Sequence, residues 1–163
     1  MLGDNVRYDA QIKLYPELNQ YLQTHFQIIS VCPEVEIGLS VPRPPVQLVQ
    51  SSSTNTQPEI QILGRDDPSI DITQAMQNYC QQRPAQLDSI HGYIFKSRSP
   101  SCGTQNVPLF NPQGQQTALT RGVFVNAILQ FYPGLPITDE LSLETKQQLE
   151  DFLQQTNRYK SQL

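Results

Sequence analysis

At 163 residues the chain is long enough to bury one core without disulfide staples. A formal net charge of -4, with 16% charged residues and no basic run, argues against electrostatic capture of duplex DNA or of an acidic membrane, and a small neutral ligand is the simpler partner. No apolar stretch approaches bilayer length and no signal-type apolar core opens the chain, so a cytoplasmic protein is expected. Three cysteines are too few for a disulfide framework and cannot all pair internally, which points to reduced thiols serving as ligands or as a nucleophile. His25 and His91 are the only histidines, and they stand in no zinc-peptidase spacing.

The first ten residues read as a polar loop with an Asp-Asn turn signal. From Pro16, suited to a first helical turn, Leu18, Tyr21, Leu22 and Phe26 recur at helical spacing, and Leu14 extends that face backward. Gln27 to Val31 is short and β-branched and predicts a buried strand ending at Cys32. Three prolines make Gly38 to Pro45 a rigid, extended loop that presents Arg43. Ser51 to Pro58 is a polar tract expected to form a solvated loop excursion within a single domain spanning residues 1–163. A short strand follows at Ile60 to Leu63.

Asp71-Ile72-Thr73 opens a second helix, on which Ile72, Ala75, Met76, Tyr79 and Cys80 share a face, so Cys80 is expected in the core. The next strand is His91 to Lys96. Gly122 to Phe131 predicts an amphipathic helix whose apolar face is Val123, Ala127, Ile128 and Phe131. Leu135-Pro136-Ile137 is a candidate edge strand, and a last helix starts near Ser142 and carries Leu149, Phe152 and Leu153. This alternation predicts an α/β fold, a Rossmann-like three-layer sandwich with a mostly parallel sheet.

In such sheets ligands bind beyond the carboxyl ends of strands, where Val31-Cys32-Pro33-Glu34 and Ser99-Pro100-Ser101-Cys102-Gly103 both fall. Two thiolates in Pro- and Gly-containing loops can ligate a soft metal or an iron-sulfur cluster; the competing reading is a pair of ordinary buried cysteines. Glu34 is a candidate to activate water or shuttle protons, against the plainer reading of a loop carboxylate paired with Arg43. Ser99 is a candidate to orient substrate, against a hydroxyl that merely satisfies backbone groups. Arg7 and Lys96 could offset negative charge at such a site, and neither is assigned a catalytic role. A cysteine hydrolase using Cys102 and His91 is disfavoured, because a strand of this length separates the two by about 15 Å.

Asn5-Val6-Arg7-Tyr8-Asp9, Cys32-Pro33-Glu34-Val35 with Gly38-Leu39, Pro42-Arg43-Pro44-Pro45, and Ser99-Pro100-Ser101-Cys102-Gly103 together resemble, in order, the thiouracil desulfidase (TudS-like) family. The resemblance continues through Asp71-Ile72-Thr73 and Gly122-Val123-Phe124 to Leu135-Pro136-Ile137. It implies a Rossmann-like domain holding a 4Fe-4S cluster through three cysteines, with the fourth iron open to the sulfur of a small thiolated pyrimidine, which leaves as sulfide without net redox change. On that resemblance Cys32 and Cys102 are cluster ligands, and Glu34 and Ser99 are the catalytic residues. An RNA substrate stays open, although the acidic composition and the lack of a basic, aromatic-interleaved patch weigh against it for this domain alone.

The family's third ligand lies in a Cys-Leu-Leu-Gly segment after the first strand, whereas this sequence begins Met1-Leu2-Gly3. Cys80, mid-helix on an apolar face, is a poor replacement. The expectation is a chain that starts too late and lacks its first strand and first cluster cysteine. The alternative is a cluster-deficient nucleobase-binding or structural domain of the same fold.

Overall fold

A computed structural model of the chain describes residues 6–11, 15–51 and 59–163. Leu14 and most of the polar tract, residues 52–58, lie outside the described residues. The first helix, α1 (Pro16–His25), starts on its proline and buries Leu18 and Leu22, the face expected from the spacing. These two pack with Leu143, Leu149 and Phe152, and Phe26 and Ile94 close over the cluster.

Residues 26–32 depart from the expected strand. They belong to no ladder among the described residues, and Ile28 and Ile29 are 36% and 53% exposed. β-Branched composition makes a segment competent for a strand, but only hydrogen bonds to a neighbour make it one, and no described strand pairs with it. The segment ends at Cys32, which precedes the single-turn helix α2 (Pro33–Glu36).

Two sheets follow. In the first, β1 (Val46–Gln50) pairs antiparallel with β2 (Ile60–Gly64), from Val46 opposite Gly64 to Gln50 opposite Ile60. Its other edge pairs parallel with β4 (Val107–Phe110), which forms a hairpin with β5 (Gln116–Thr120). The hairpin turn is fixed locally: the Asn111 side-chain carbonyl accepts from the N–H groups of Gln113 and Gln115, and Gly114 takes the left-handed backbone at φ +77°. The second sheet is the parallel pair β3 (Tyr93–Phe95) and β6 (Ile137–Asp139), in register from Tyr93–Ile137 to Phe95–Asp139.

The chain is therefore α/β with one mixed four-stranded sheet and one parallel pair, and the mostly parallel sheet expected from the sequence is not what the described strands form. The pairs β1–β4 and β3–β6 are parallel, whereas β1–β2 and β4–β5 are antiparallel. Of the strands in the antiparallel pairs, the sequence marks only β2, at Ile60 to Leu63; β1, β4 and β5 are not marked. β5 is largely exposed, including Leu119 at 56%, so it shows no buried alternation.

Helix α3 (Thr73–Gln82) begins where Asp71 accepts from the Thr73 N–H at 2.8 Å, and the Thr73 hydroxyl accepts from the Ile62 N–H at 2.9 Å, docking the helix start on β2. Helix α4 (Val123–Phe131) buries Phe124, Val125 and Ile128 completely. The face expected from the sequence is corrected here: Phe131 is 50% exposed and Val123 only partly buried, so the face turned to the core is centred on Phe124, Val125 and Ile128. Phe124, Val125 and Ile128 form one core cluster with Leu87, Phe95, Leu135 and Cys102. Helix α5 (Lys146–Lys160) starts four residues beyond Ser142, at a capping box made by Thr145 and Gln148; residues Glu140–Ser142 form a 3-10 turn instead. Among the described residues no helix is long and apolar enough to cross a membrane.

Candidate thiol site

The segment after β3 is held by its own backbone. The Ser99 hydroxyl oxygen accepts from the N–H groups of Ser101 and Cys102 at 3.2 and 3.1 Å, and the Gly103 N–H donates to the Ser99 carbonyl at 2.7 Å. The loop then caps α4. The carbonyls of Pro100 and Ser101 accept from the N–H groups of Val123 and Phe124 at 3.2 and 3.0 Å, satisfying donors that a helix start otherwise leaves unpaired. Ser101 is fully buried, and its hydroxyl donates to Glu34 Oε1 at 2.9 Å.

That last bond joins the two cysteine loops. Cys32 is the N-cap residue of α2; its N–H donates to Glu36 Oε1 at 3.3 Å and its thiol to the Val6 carbonyl at 3.8 Å. Glu34 Oε2 accepts from Arg43 Nε and Nη2 at 2.9 and 2.8 Å, and Arg43 Nη1 donates to the same Val6 carbonyl at 3.0 Å. Both partners of the ion pair are nearly buried, with side chains 6% and 12% exposed. Val6, Cys32, Glu34, Arg43, Ser99, Ser101 and Cys102 thus form one continuous constellation.

Both thiols in it are harder to ionise than a free cysteine. Burial pushes Cys102 well above the usual thiol range, and the neighbouring Glu34 and Cys32 push the same way, while the Ser99 hydrogen bond opposes them. Burial also raises Cys32, against a smaller opposing pull from the Val35 backbone and the Arg43 charge. On α3, burial raises Cys80 from the usual 9.0 to about 11. A group whose folded pKa is raised contributes stability below its unfolded pKa and loses it as pH rises through the folded one. Stability measured by urea denaturation is therefore expected to fall as pH rises from about 9 to about 11, and Cys80→Ala to flatten part of that slope.

Of the residues expected from the sequence, Glu34, Ser99, Cys32 and Cys102 come together. In this structure Glu34 makes the pairing with Arg43, and Ser99 holds backbone N–H groups, so both plainer readings hold structurally. Arg7 instead pairs with Asp9, and Lys96 with Glu140. Cys80, expected in the core, is half-buried and packs against the core cluster that contains Cys102. A cavity of about 640 Å³ between α3 and α4 is lined by Ile62, Met76, Cys80, Val123, Ala127 and Phe131, and reaches neither Cys32 nor Cys102.

Two contributors are not legible in the sequence. Ser101 carries no signal that separates it from Ser99. Glu36 holds the Cys32 N–H through one oxygen and accepts from Tyr79 and Arg83 at 3.0 and 2.7 Å through the other, tying the Cys32 turn to α3. Glu36→Ala is expected to cost about 1–2 kcal/mol in urea denaturation and to speed alkylation of Cys32. An unchanged Cys32 rate would show that the turn holds without this tie.

The family model for 2-thiouracil desulfurase matches residues 1–140. The chain belongs to the 2-thiouracil desulfurase family. Comparison with curated proteins finds no match. Among solved structures, the 4Fe-4S-dependent thiouracil desulfidase TudS is similar at 23% identity and a TM-score of 0.65, with 87% of each chain covered. At that identity the likeness establishes a shared fold. The constellation around Cys32 and Cys102 thus sits in a desulfurase-family domain.

Proposed function

We propose that the chain removes the thiocarbonyl sulfur of a small thiopyrimidine such as thiouracil, acting as one Rossmann-like cytoplasmic domain across residues 1–163. The observation that carries this reading is the Ser101–Glu34 hydrogen bond, which brings both cysteine loops, a carboxylate and two serines to one place. The reaction balances as C=S plus water giving C=O plus hydrogen sulfide, with no oxidant or reductant.

The fold family implies a 4Fe-4S cluster, and Cys32 and Cys102 would hold it. Their donors are right in kind, since thiolate is the ligand such clusters favour. Their number is not: among the described residues no group of three cysteine, histidine or acidic side chains could hold a metal. The described donor set is therefore incomplete. When bound, a cluster supplies soft iron suited to a thiocarbonyl sulfur.

The chain's own residues do the rest. Glu34 Oε2 takes two donors from Arg43, so Oε1, which accepts from Ser101, is the oxygen at which Glu34 receives a proton from the attacking water. The backbone of the Cys102 loop is fixed by Ser99 and by α4, so the groups around Glu34 are preorganised.

Anaerobic reconstitution with iron and sulfide tests this reading. A brown species with broad visible absorbance is expected, lost in Cys32→Ser and in Cys102→Ser, together with sulfide release from thiouracil. The two-thiol donor set favours a second reading, a cluster-deficient nucleobase-binding domain. Uracil binding by a chain that retains no iron would establish that reading and overturn the first.

A further inference from the structure

We propose that Asp139 and Glu140, adjacent carboxylates at the carboxyl end of β6, are positioning residues that clamp the two ends of the Cys102 loop and thereby set where Cys102 stands. The functional meaning of the clamp rests on the desulfidase reading; its existence does not.

The register of the second sheet brings the parts together. Phe95, the last residue of β3, lies opposite Asp139, so β6 ends beside the point where the chain leaves β3 for the loop. Glu140 then grips the start of the loop. Its side chain is fully buried; one oxygen accepts from the Ser97 N–H at 2.8 Å, and the other from the Ser97 hydroxyl at 2.6 Å and from Lys96 Nζ. Asp139, 6% exposed, grips the far end: Oδ2 accepts from the Thr104 hydroxyl at 2.6 Å. Its other oxygen accepts from the N–H groups of Leu141 and Ser142 at 3.1 and 3.2 Å, which anchors the carboxylate to the 3-10 turn behind it. Between Ser97 and Thr104 lie Ser99, Ser101 and Cys102.

Burying two carboxylates side by side is costly unless both are fully hydrogen-bonded. Neither is needed to hold β6 to β3, which the backbone ladder already does. All the side-chain partners of Glu140 belong to the start of the loop, and the outward oxygen of Asp139 is spent on its end. Burial alone would raise the Glu140 carboxyl, yet Lys96 and Ser97 hold it below its usual range, in keeping with a charge fully engaged by the loop. With both ends fixed, the eight-residue span has less room to move, and the hydrogen bonds of Ser99 and of α4 then hold Cys102 within it.

Residue-resolved alkylation of the full chain by iodoacetamide, without iron or substrate, tests the clamp, and Cys80 in the same molecule is the reference. Glu140→Gln is expected to raise the Cys102 rate about tenfold relative to Cys80, as the loop opens locally. Thr104→Val, a milder change that keeps side-chain volume, should raise it by a smaller factor, because it removes only the Asp139 hydrogen bond at the far end. Thr104→Ser, which retains the hydroxyl, should leave the Cys102 rate at its original value. An unchanged Cys102 rate in Thr104→Val and Glu140→Gln, or rates at Cys102 and Cys80 rising in step, would overturn the proposal. A chain that releases no sulfide yet shows selective unmasking of Cys102 keeps the clamp and loses only the desulfidase reading.

Discussion

Glu34→Ala should lower folding stability by about 3–5 kcal/mol, measured by urea denaturation, because it strands the Arg43 guanidinium in a nearly buried position. The loss is larger than a surface ion pair gives, since the two side chains are only 6% and 12% exposed and the Ser101 hydroxyl loses its acceptor as well. Replacing both partners, as Glu34→Ala with Arg43→Met, should recover about half the loss, because it removes the stranded charge. A loss below about 1 kcal/mol in the single variant would show that water reaches Arg43 and solvates it. Catalysis separates from stability in Glu34→Gln at matched iron content. If Oε1 carries the proton, sulfide release falls by about 10²–10⁴, and an unchanged rate removes Glu34 from the mechanism.

The elements with strong period or punctuation were legible in the sequence. Pro16 and the Leu18–Leu22 spacing located α1, Asp71-Ile72-Thr73 the start of α3, and the apolar run at Tyr93 the strand before the Cys102 loop. What failed was non-local. Residues 27–31 have strand composition, yet a strand is defined by its neighbour, and Ile28 and Ile29 stand exposed. The β4–β5 hairpin was not marked because its outer strand faces solvent and so shows no buried alternation. Within the site, the motifs placed Cys32, Glu34, Ser99 and Cys102, but not the links among them. The choice of Glu34 by Ser101, of Cys32 by Glu36 and of Ser97 by Glu140 spans 67, 4 and 43 residues, and only the shortest could have been read as a local cap.

The largest effect on the site itself is expected from a single methyl group at Gly122. A Cβ there would lie 2.5 Å from the carbonyl carbon and oxygen of Ser101 and 2.7 Å from the Cys102 nitrogen, all backbone atoms that no rotamer change can move. The backbone at Gly122 is ordinary, with φ -62° and ψ 147°, so the cost is steric rather than conformational. Either α4 or the Cys102 loop must shift, and with it the three hydrogen bonds that join them: Gly122 N–H to Gly103, Val123 N–H to Pro100 and Phe124 N–H to Ser101. Gly122→Ala should therefore cost about 3 kcal/mol or more in urea denaturation, as overpacking and lost capping combine. Gly134→Ala is the control. Its φ of +80° makes alanine strained, but nothing lies within 4 Å of the added carbon, so the loss should stay at about 1–2 kcal/mol. Only Gly122→Ala should also speed Cys102 alkylation, since only there does the methyl group displace the thiol's own backbone. Equal losses in the two variants, with Cys102 no more reactive in one than in the other, would mean that the loop gives way without cost and that α4 does not fix the thiol's position.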